Sequence, residues 1–306
     1  MSDSSLKTYF FYWRVHLILF AMFACVLVIA WKVGMLHIAE RDFLQDQGDA
    51  RTIRTVPLVA NRGLITDRNG EPLAVSTPVQ SIWVDPRKIA RDSETIRILA
   101  RQLELNESVL EQNINSKSNL EFLYLKRRLS PAEAKRVLNL NLEGVYSQQE
   151  YQRFYPQGEV TAHLIGFSNV DDIGQEGLEL TYDEWLRGVP GKRQVMKDRR
   201  GNIIEELNTI QTAQPGKSLE LSIDFRIQNI AYRELKEEFI TRRAKGASIV
   251  VLDVVTGEVL AMANQPSYNP HNKSGMTDFS VLRNRAITDV FEPGSTIKAF
   301  TIAAAL

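Results

Sequence analysis

The sequence predicts a chain in three parts: one membrane-spanning helix at the N-terminus, then an α+β segment, then the start of an α/β domain. Three observations predict it. Residues 15–31 read "VHLILFAMFACVLVIAW" with no Asp, Glu, Lys or Arg; residues 62–86 alternate apolar and polar positions about Asn69-Gly70; and from residue 217 a strand pattern passes into a long amphipathic helix and two further strands.

The apolar run of 17 residues covers about 25 Å as a helix, and Tyr9, Phe10, Phe11, Tyr12, Trp13 and Trp31 extend it toward the bilayer interfaces. Lys7 and Arg14 face only Asp3 on one flank, whereas Glu40, Asp42, Asp46 and Asp49 crowd the other. Residues 1–14 are therefore expected as a cytoplasmic tail, 15–35 as the anchor in contact with membrane lipid, and the rest outside. The alternative is a cleavable signal peptide, but no small-x-small cleavage site follows Trp31. Cys25, the only cysteine, then lies in lipid with no disulfide partner.

Beyond the connector "AERDFLQDQGDARTIRT", the stretch "RGLITDRNGEPLAVSTPVQSIWVDP" predicts two strands joined by a tight turn at Asn69-Gly70, residues that tolerate positive φ. Residues 88–150 turn helical and predict a small α+β insert. "SETIRILARQL" carries helical spacing, and "SPAEAKRVL" offers Ser130 as N-cap, Pro131 at the first helical position and Glu133 to close a capping box. In "GQEGLELTYDEWLRGVPG", Gly174 and Gly177 precede one amphipathic helix expected to end near Arg187, with Gly188 as its C-cap. "RQVMKDRRGNIIEEL" predicts another hairpin, whose basic cluster of Lys197, Arg199 and Arg200 reads as a solvated turn. "SLELSI" predicts a strand, and "DFRIQNIAYRELKEEFITRR" a helix capped by Asp224. "GASIVVLDVVTGEVLAMAN" predicts two buried strands turning at Thr256-Gly257. An irregular run, "QPSYNPHNKSGMTDF", follows.

Composition excludes several functions. Lys plus Arg equals Asp plus Glu at 37 each, and no basic tract is interleaved with aromatics, so no nucleic-acid partner is expected. His16, His37, His163 and His271 are too dispersed for a metal centre, and no metal or cofactor is expected.

The chemistry-bearing candidate is "FEPGSTIKAF", where Ser295 and Lys298 are spaced S-x-x-K. A chain of this length holds about one such match by chance, and Ser4 with Lys7 supplies a second, in a short tail with no helix to bury its amine. Pro293-Gly294 punctuates the chain, so a helix is expected to begin at or next to Ser295 and bring Lys298 onto the same face. A serine hydroxyl needs a base, and a lysine serves only where burial or cationic neighbours lower its pKa; the apolar run to Leu306 is expected to supply that burial. The N–H groups at the helix start are placed to stabilise an oxyanion.

"RNRAITDVFEPGSTIKAFTIAAAL" resembles the active-serine region of class B penicillin-binding proteins, above all their division-specific members. "RGLITDRNGEPLA" is similar to the first N-terminal motif of that family, and "GFSNVDDIGQEGLELTYDEWLRGVPG" to its second anchor segment. The resemblance implies a periplasmic α+β pedestal of the dimerisation type over residues 36–216, with the insert at 88–150. Residues 217–306 would then begin a serine transpeptidase domain of the penicillin-binding/β-lactamase-like fold. It implies an inner-membrane protein of the division septum that crosslinks peptidoglycan. Ser295 would attack the penultimate D-Ala carbonyl of a stem peptide, Lys298 would take and return the proton, and β-lactams would acylate the same serine. Implied partners are the membrane glycosyltransferase FtsW and other division proteins. No substrate-binding residue beyond these two is assigned. The S-x-N and K-[ST]-G motifs of the family lie far downstream of the serine, and the sequence runs 11 residues past Ser295. The expectation is a fragment whose last helix would be buried in a complete domain and which does not acylate. Two alternatives remain open: a β-lactamase or lactam sensor, which shares the S-x-x-K helix, and a membrane-anchored non-catalytic division scaffold.

Overall fold

The computed structural model describes residues 4–38, 53–90, 92–197, 203–272 and 277–306. Most of the connector, the stretch with Arg199 and Arg200 where a turn is expected, the side chain of Lys197 and part of the run after Gln265 lie outside the described residues. The chain divides into two compact units, Met1–Thr55 with Gln194–Leu207, and Val56–Arg193 with Asn208–Leu306.

In the first unit, α1 (Ser4–Ile38) holds a 24-residue apolar stretch, Trp13–Leu36, none of it buried in the protein. At 1.5 Å per residue it is about 36 Å long, enough to cross a hydrocarbon core of roughly 30 Å. The helix also corrects an expectation. Ser4 and Lys7, read as part of a helix-free tail, lie in the first turns of α1, because no Gly or Pro between Ser4 and Trp13 stops its propagation.

The chain continues as β1 (Ile53–Leu58), β2 (Ile65–Thr66) and β3 (Pro72–Val84). β2 and β3 pair antiparallel, Ile65 opposite Ala74, about a turn closed by Gly70 N–H to the Asp67 carbonyl at 3.1 Å. Only Gly70 takes positive φ, at 83°; Asn69 does not, so the turn differs from the expected two-residue form.

The insert is built as α2 (Pro86–Ile89), α3 (Ser93–Leu103), α4 (Glu107–Ser116), β4 (Leu123–Leu129), α5 (Pro131–Leu138) and β5 (Val145–Phe154). β3 lies between β4 and β5 and pairs antiparallel with both. The helices cover one face of this sheet. Ile96, Leu99, Ala100 and Leu103 recur at helical spacing along α3 and are all buried, against Ile82 and Val84 of β3. Each such fully buried Leu or Ile stabilises the fold by about 1.5–3 kcal/mol. The capping box at α5 forms as expected: Ser130 Oγ accepts from Glu133 N–H, and the Glu133 carboxylate accepts from Ser130 N–H at 2.9 Å.

Next come α6 (Ala162–Ile165), β6 (Phe167–Ser168), β7 (Gly174–Glu176), α7 (Gly177–Thr181) and α8 (Asp183–Leu186). The single helix expected here is two short ones. Gly188 is no left-handed cap either: a Cβ there would fall 2.6 Å from that of Ala60, so close approach of two chain segments is what requires glycine. A buried ion cluster joins this region to the first hairpin. The fully buried Glu179 carboxylate accepts from Arg62 Nε and from Arg153 Nε of β5, each at 2.6 Å, and Arg62 Nη1 donates to Asp183 at 2.7 Å. Arg62 Nη2 also reaches the Glu179 carbonyl at 2.7 Å. Burial opposes the Arg62 charge, but Glu179 and Asp183 outweigh it and raise its pKa.

β8 (Gly191–Lys197) and β9 (Ile203–Gln211) are neighbours in a sheet of order β1-β8-β9. Of the expected strand over "SLELSI" only β10 (Leu219–Glu220) forms. It pairs parallel with β2, so chain on both sides of residue 216 shares one sheet. Then α9 (Phe225–Arg242) starts at its Asp224 cap and packs Ala231, Tyr232 and Leu235 against Ala261 and Ala263. These alanines lie on β12 (Val259–Gln265), the antiparallel partner of β11 (Ala247–Leu252). β11 is not the buried strand expected: its residues alternate, with Val250 and Leu252 exposed. Gln228 of α9, fully buried, bridges α9 to β12 by donating to the Met262 carbonyl and accepting from Met262 N–H at 2.7 Å.

Two glycines with positive φ separate conformational need from space. Gly166 (φ 78°) would place a Cβ 1.8 Å from the Glu176 carbonyl oxygen, whereas Gly70 (φ 83°) has nothing within 4 Å. We expect Gly70→Ala to cost about 1 kcal/mol and Gly166→Ala more than about 3 kcal/mol, read from urea midpoints in detergent.

Candidate active site

The segment that leads to Ser295 is held by one amide. Asn264 of β12, 1% exposed, accepts at Oδ1 from Ser248 Oγ and from Ala286 N–H, both at 2.8 Å, and donates through Nδ2 to Asn284 Oδ1 at 2.9 Å. This fixes the start of α10 (Arg285–Thr288) onto the β11–β12 hairpin. Asp289 closes the segment by pairing with Arg285 at 2.9 Å and with Arg283.

After Asp289 the chain emerges. Gly294 takes φ 55°, Gly294–Ile297 form a 3-10 turn, and α11 (Lys298–Ala305) follows. Lys298 N–H donates to the Ser295 carbonyl, closing the i to i+3 ring in which side chains eclipse. Ser295 and Lys298 thus share one edge at the start of α11, as the spacing predicts. The Ser295 N–H has no backbone acceptor among the described residues. The expected burial is not found: every residue from Phe291 to Leu306 is exposed, and no hydrogen bond joins the Ser295 hydroxyl to the Lys298 amine among the described residues. An apolar helix buries its lysine only against other elements, and nothing described here covers α11.

The first hairpin is tied to the start of α9. Asp67 Oδ1 accepts from Asn69 and Glu71 N–H, and its Oδ2 accepts from Phe225 N–H at 3.1 Å, the first residue of α9. Asn69 Nδ2 donates to Asp224, and Arg68 N–H to the Ile223 carbonyl at 3.0 Å. Burial pushes the Asp67 carboxyl up, but the Phe225, Glu71 and Asn69 N–H groups outweigh it and hold its pKa below the usual range. The Arg226 guanidinium, with Asn69, holds Asp224 lower still. His163 lies against the Val281 carbonyl at 2.8 Å, its pKa lowered by burial, and His271 against the Tyr155 carbonyl at 2.9 Å. Asp67, Gln228, Asn264 and Glu179 carry the frame and were not singled out from sequence. Only Asp67 had a local signal, the Asx turn latent in "TDRNG".

Comparison with known proteins agrees with this architecture. Residues 57–221 match the penicillin-binding protein dimerisation domain and residues 247–306 the penicillin-binding protein transpeptidase domain. The chain belongs to the penicillin-binding proteins that join these two domains. It is 44% identical over 303 residues to the peptidoglycan D,D-transpeptidase FtsI of Escherichia coli, covering 97% of this chain and 51% of that protein. It is also 44% identical over 280 residues to the probable peptidoglycan D,D-transpeptidase PbpC of Pseudomonas aeruginosa, covering 92% and 49%. The chain spans about half the length of the curated relatives it matches. Among solved structures, a peptidoglycan synthetase from Bifidobacterium adolescentis shares the fold at a TM-score of 0.54 and 23% identity, over 82% of this chain and 50% of that one. Penicillin-binding protein 2X from Streptococcus thermophilus does so at 0.53 and 22%, over 74% and 37%.

Asp67 and Asp224, two of the carboxyls held below their usual range, give a pH dependence with a defined sign. Their stabilisation is complete above the unfolded pKa near 3.9 and is lost as pH falls through the folded values. The urea midpoint of residues 1–306 is expected to drop between pH 6 and pH 3, and to drop less in Asp67→Asn, which is also about 1 kcal/mol less stable at pH 6.

Proposed function

We propose that the chain belongs to a peptidoglycan D,D-transpeptidase of septal cell-wall synthesis, with Ser295 as acyl acceptor and Lys298 as its proton acceptor. The observation that carries this is the shared edge of Ser295 and Lys298 at the start of α11, held behind the Asn264 anchor, within residues matched to the transpeptidase domain. The 44% identity to a named D,D-transpeptidase supports it. Ser295 Oγ would attack the penultimate D-Ala carbonyl carbon while its proton passes to Lys298 Nζ. The tetrahedral oxyanion would draw on the Ser295 N–H. Collapse would break the peptide bond, give the proton to the departing D-Ala amine and leave an ester on Ser295. The amine of a second stem peptide would then attack the ester and return the proton to Ser295. β-Lactams would enter at the first step and stop there.

The wider reading is of the same kind. Residues 1–14 would lie in the cytoplasm, 15–35 in the inner membrane, 36–216 outside as a pedestal with its insert at 88–150, and 217–306 at the start of the transpeptidase domain. FtsW and other division proteins would be the partners. A second reading, a non-catalytic scaffold, is favoured for residues 1–306 alone by one contrast: the hairpin and insert are packed on buried cores, whereas residues 291–306 are wholly exposed.

Exposure leaves Lys298 without the burial that a lysine base requires. Fluorescent penicillin is therefore expected to leave residues 1–306 unlabelled. A longer chain that continues through S-x-N and K-[ST]-G should be labelled stoichiometrically, and Ser295→Ala should abolish that label. Stoichiometric label on Ser295 of residues 1–306 would contradict the dependence on burial, and label on another residue of the longer chain would contradict the assignment.

A further inference from the structure

The chain that leads to Ser295 is seated partly on residues outside the matched transpeptidase domain. Its 3-10 turn, Phe279–Leu282, packs Val281 and Leu282 against a buried apolar cluster. Every buried member of that cluster except Tyr268 lies within residues 57–221, the matched dimerisation domain. Ala162 and Ile165 of α6 belong to it, and α6 also supplies a polar contact to the turn.

That contact is His163, 6% exposed, whose Nε2 lies 2.8 Å from the Val281 carbonyl. A carbonyl only accepts, so Nε2 carries the proton. Burial lowers the pKa of the ring, which is therefore uncharged at neutral pH, with Nδ1 bare. The same stretch of chain answers it: Asn284 Nδ2 donates to the His163 carbonyl at 3.4 Å. Asn284 Oδ1 in turn accepts from Asn264, the side chain that fixes the start of α10. Tyr268 stands edge-on to the His163 ring at 5.3 Å and donates its hydroxyl to the Ala162 carbonyl at 2.9 Å. Among the described residues, His163 makes the only hydrogen bond to the turn Phe279–Leu282 from another element. Apolar packing alone would let the turn slide over the cluster, whereas a hydrogen bond fixes it in direction and distance.

We propose that His163 is a positioning residue for acylation of Ser295. Its Nε2–H holds Val281, and through Val281 and Asn284 the dimerisation domain sets the path by which the chain approaches the serine. Attack on a carbonyl depends steeply on where the nucleophile sits, and a misplacement of about 1 Å costs on the order of a hundredfold in rate. The proposal rests on the transpeptidase reading above.

The test uses the longer chain that continues through S-x-N and K-[ST]-G, in neutral detergent, with fluorescent penicillin as the probe. Both the saturating acylation rate and the penicillin concentration at half saturation are measured. His163→Asn and His163→Gln both introduce an amide, but only the Gln nitrogen reaches the place of Nε2. His163→Asn is expected to lower the saturating rate about tenfold or more and to leave half saturation unchanged, because placement of the serine and not binding of the lactam is disturbed. His163→Gln is expected to return the rate to within about threefold of the unsubstituted chain. Tyr268→Phe removes the Ala162 contact, leaves the His163 bond in place and controls for loss of stability; its rate should stay within about twofold. No label on Ser295 of the unsubstituted chain overturns the transpeptidase reading. With that label present, an unchanged rate in His163→Asn, or an equal loss in His163→Gln or Tyr268→Phe, overturns the positioning role. Should His163→Asn fail to fold, His163→Gln decides alone: a rate within about threefold supports the role and a larger loss overturns it.

Discussion

The arrangement of the second unit depends on one buried carboxylate. Glu179 is fully enclosed and holds two guanidiniums, Arg62 and Arg153, from segments 117 and 26 residues away. Removing one partner of such a cluster typically costs about 3–5 kcal/mol, because the charge left behind has no water to turn to. The cluster also carries geometric information. An arginine fork accepts only certain directions, so Arg62 sets where the first hairpin leaves the frame, and Arg153 sets the end of β5.

The consequences run outward along the chain. Five residues after Arg62, the hairpin presents Asp67, whose second oxygen caps α9 at Phe225 N–H. Helix α9 then carries Gln228, which holds the edge of β12, and β12 carries Asn264, which holds the segment before Ser295. Each link is a polar side chain hydrogen-bonded to backbone groups, to other polar side chains, or to both. The path from the ion cluster to the serine turn is therefore a series of directional contacts rather than a continuous apolar core. The three apolar clusters supply the stability around them.

How much of this was legible follows from distance along the chain. The capping box of Ser130 and Glu133, the Asp224 cap, the Gly70 turn and the Ser295–Lys298 edge are all set by residues within a few positions of one another, and sequence spacing reveals them. Glu179 and Asn264 are not legible in that way, because their partners lie tens to more than a hundred residues off and neither residue breaks a local pattern. The two expectations that failed near the site fail for a related reason. Burial of Lys298 and of β11 was inferred from apolar composition, which says that a surface needs a partner and not that this segment contains one. Helix α1 reached back to Ser4 because helix propagation needs only the absence of a breaker.

The most direct test of the central role given to Glu179 is hydrogen exchange on Glu179→Gln. The substitution keeps the shape and removes the charge that both arginines share. The account predicts that amides of residues 62–76, 153–155 and 174–186 lose protection together, while those of α3 and of the β11–β12 hairpin keep theirs. Protection unchanged throughout, or lost only within 174–186, would contradict it.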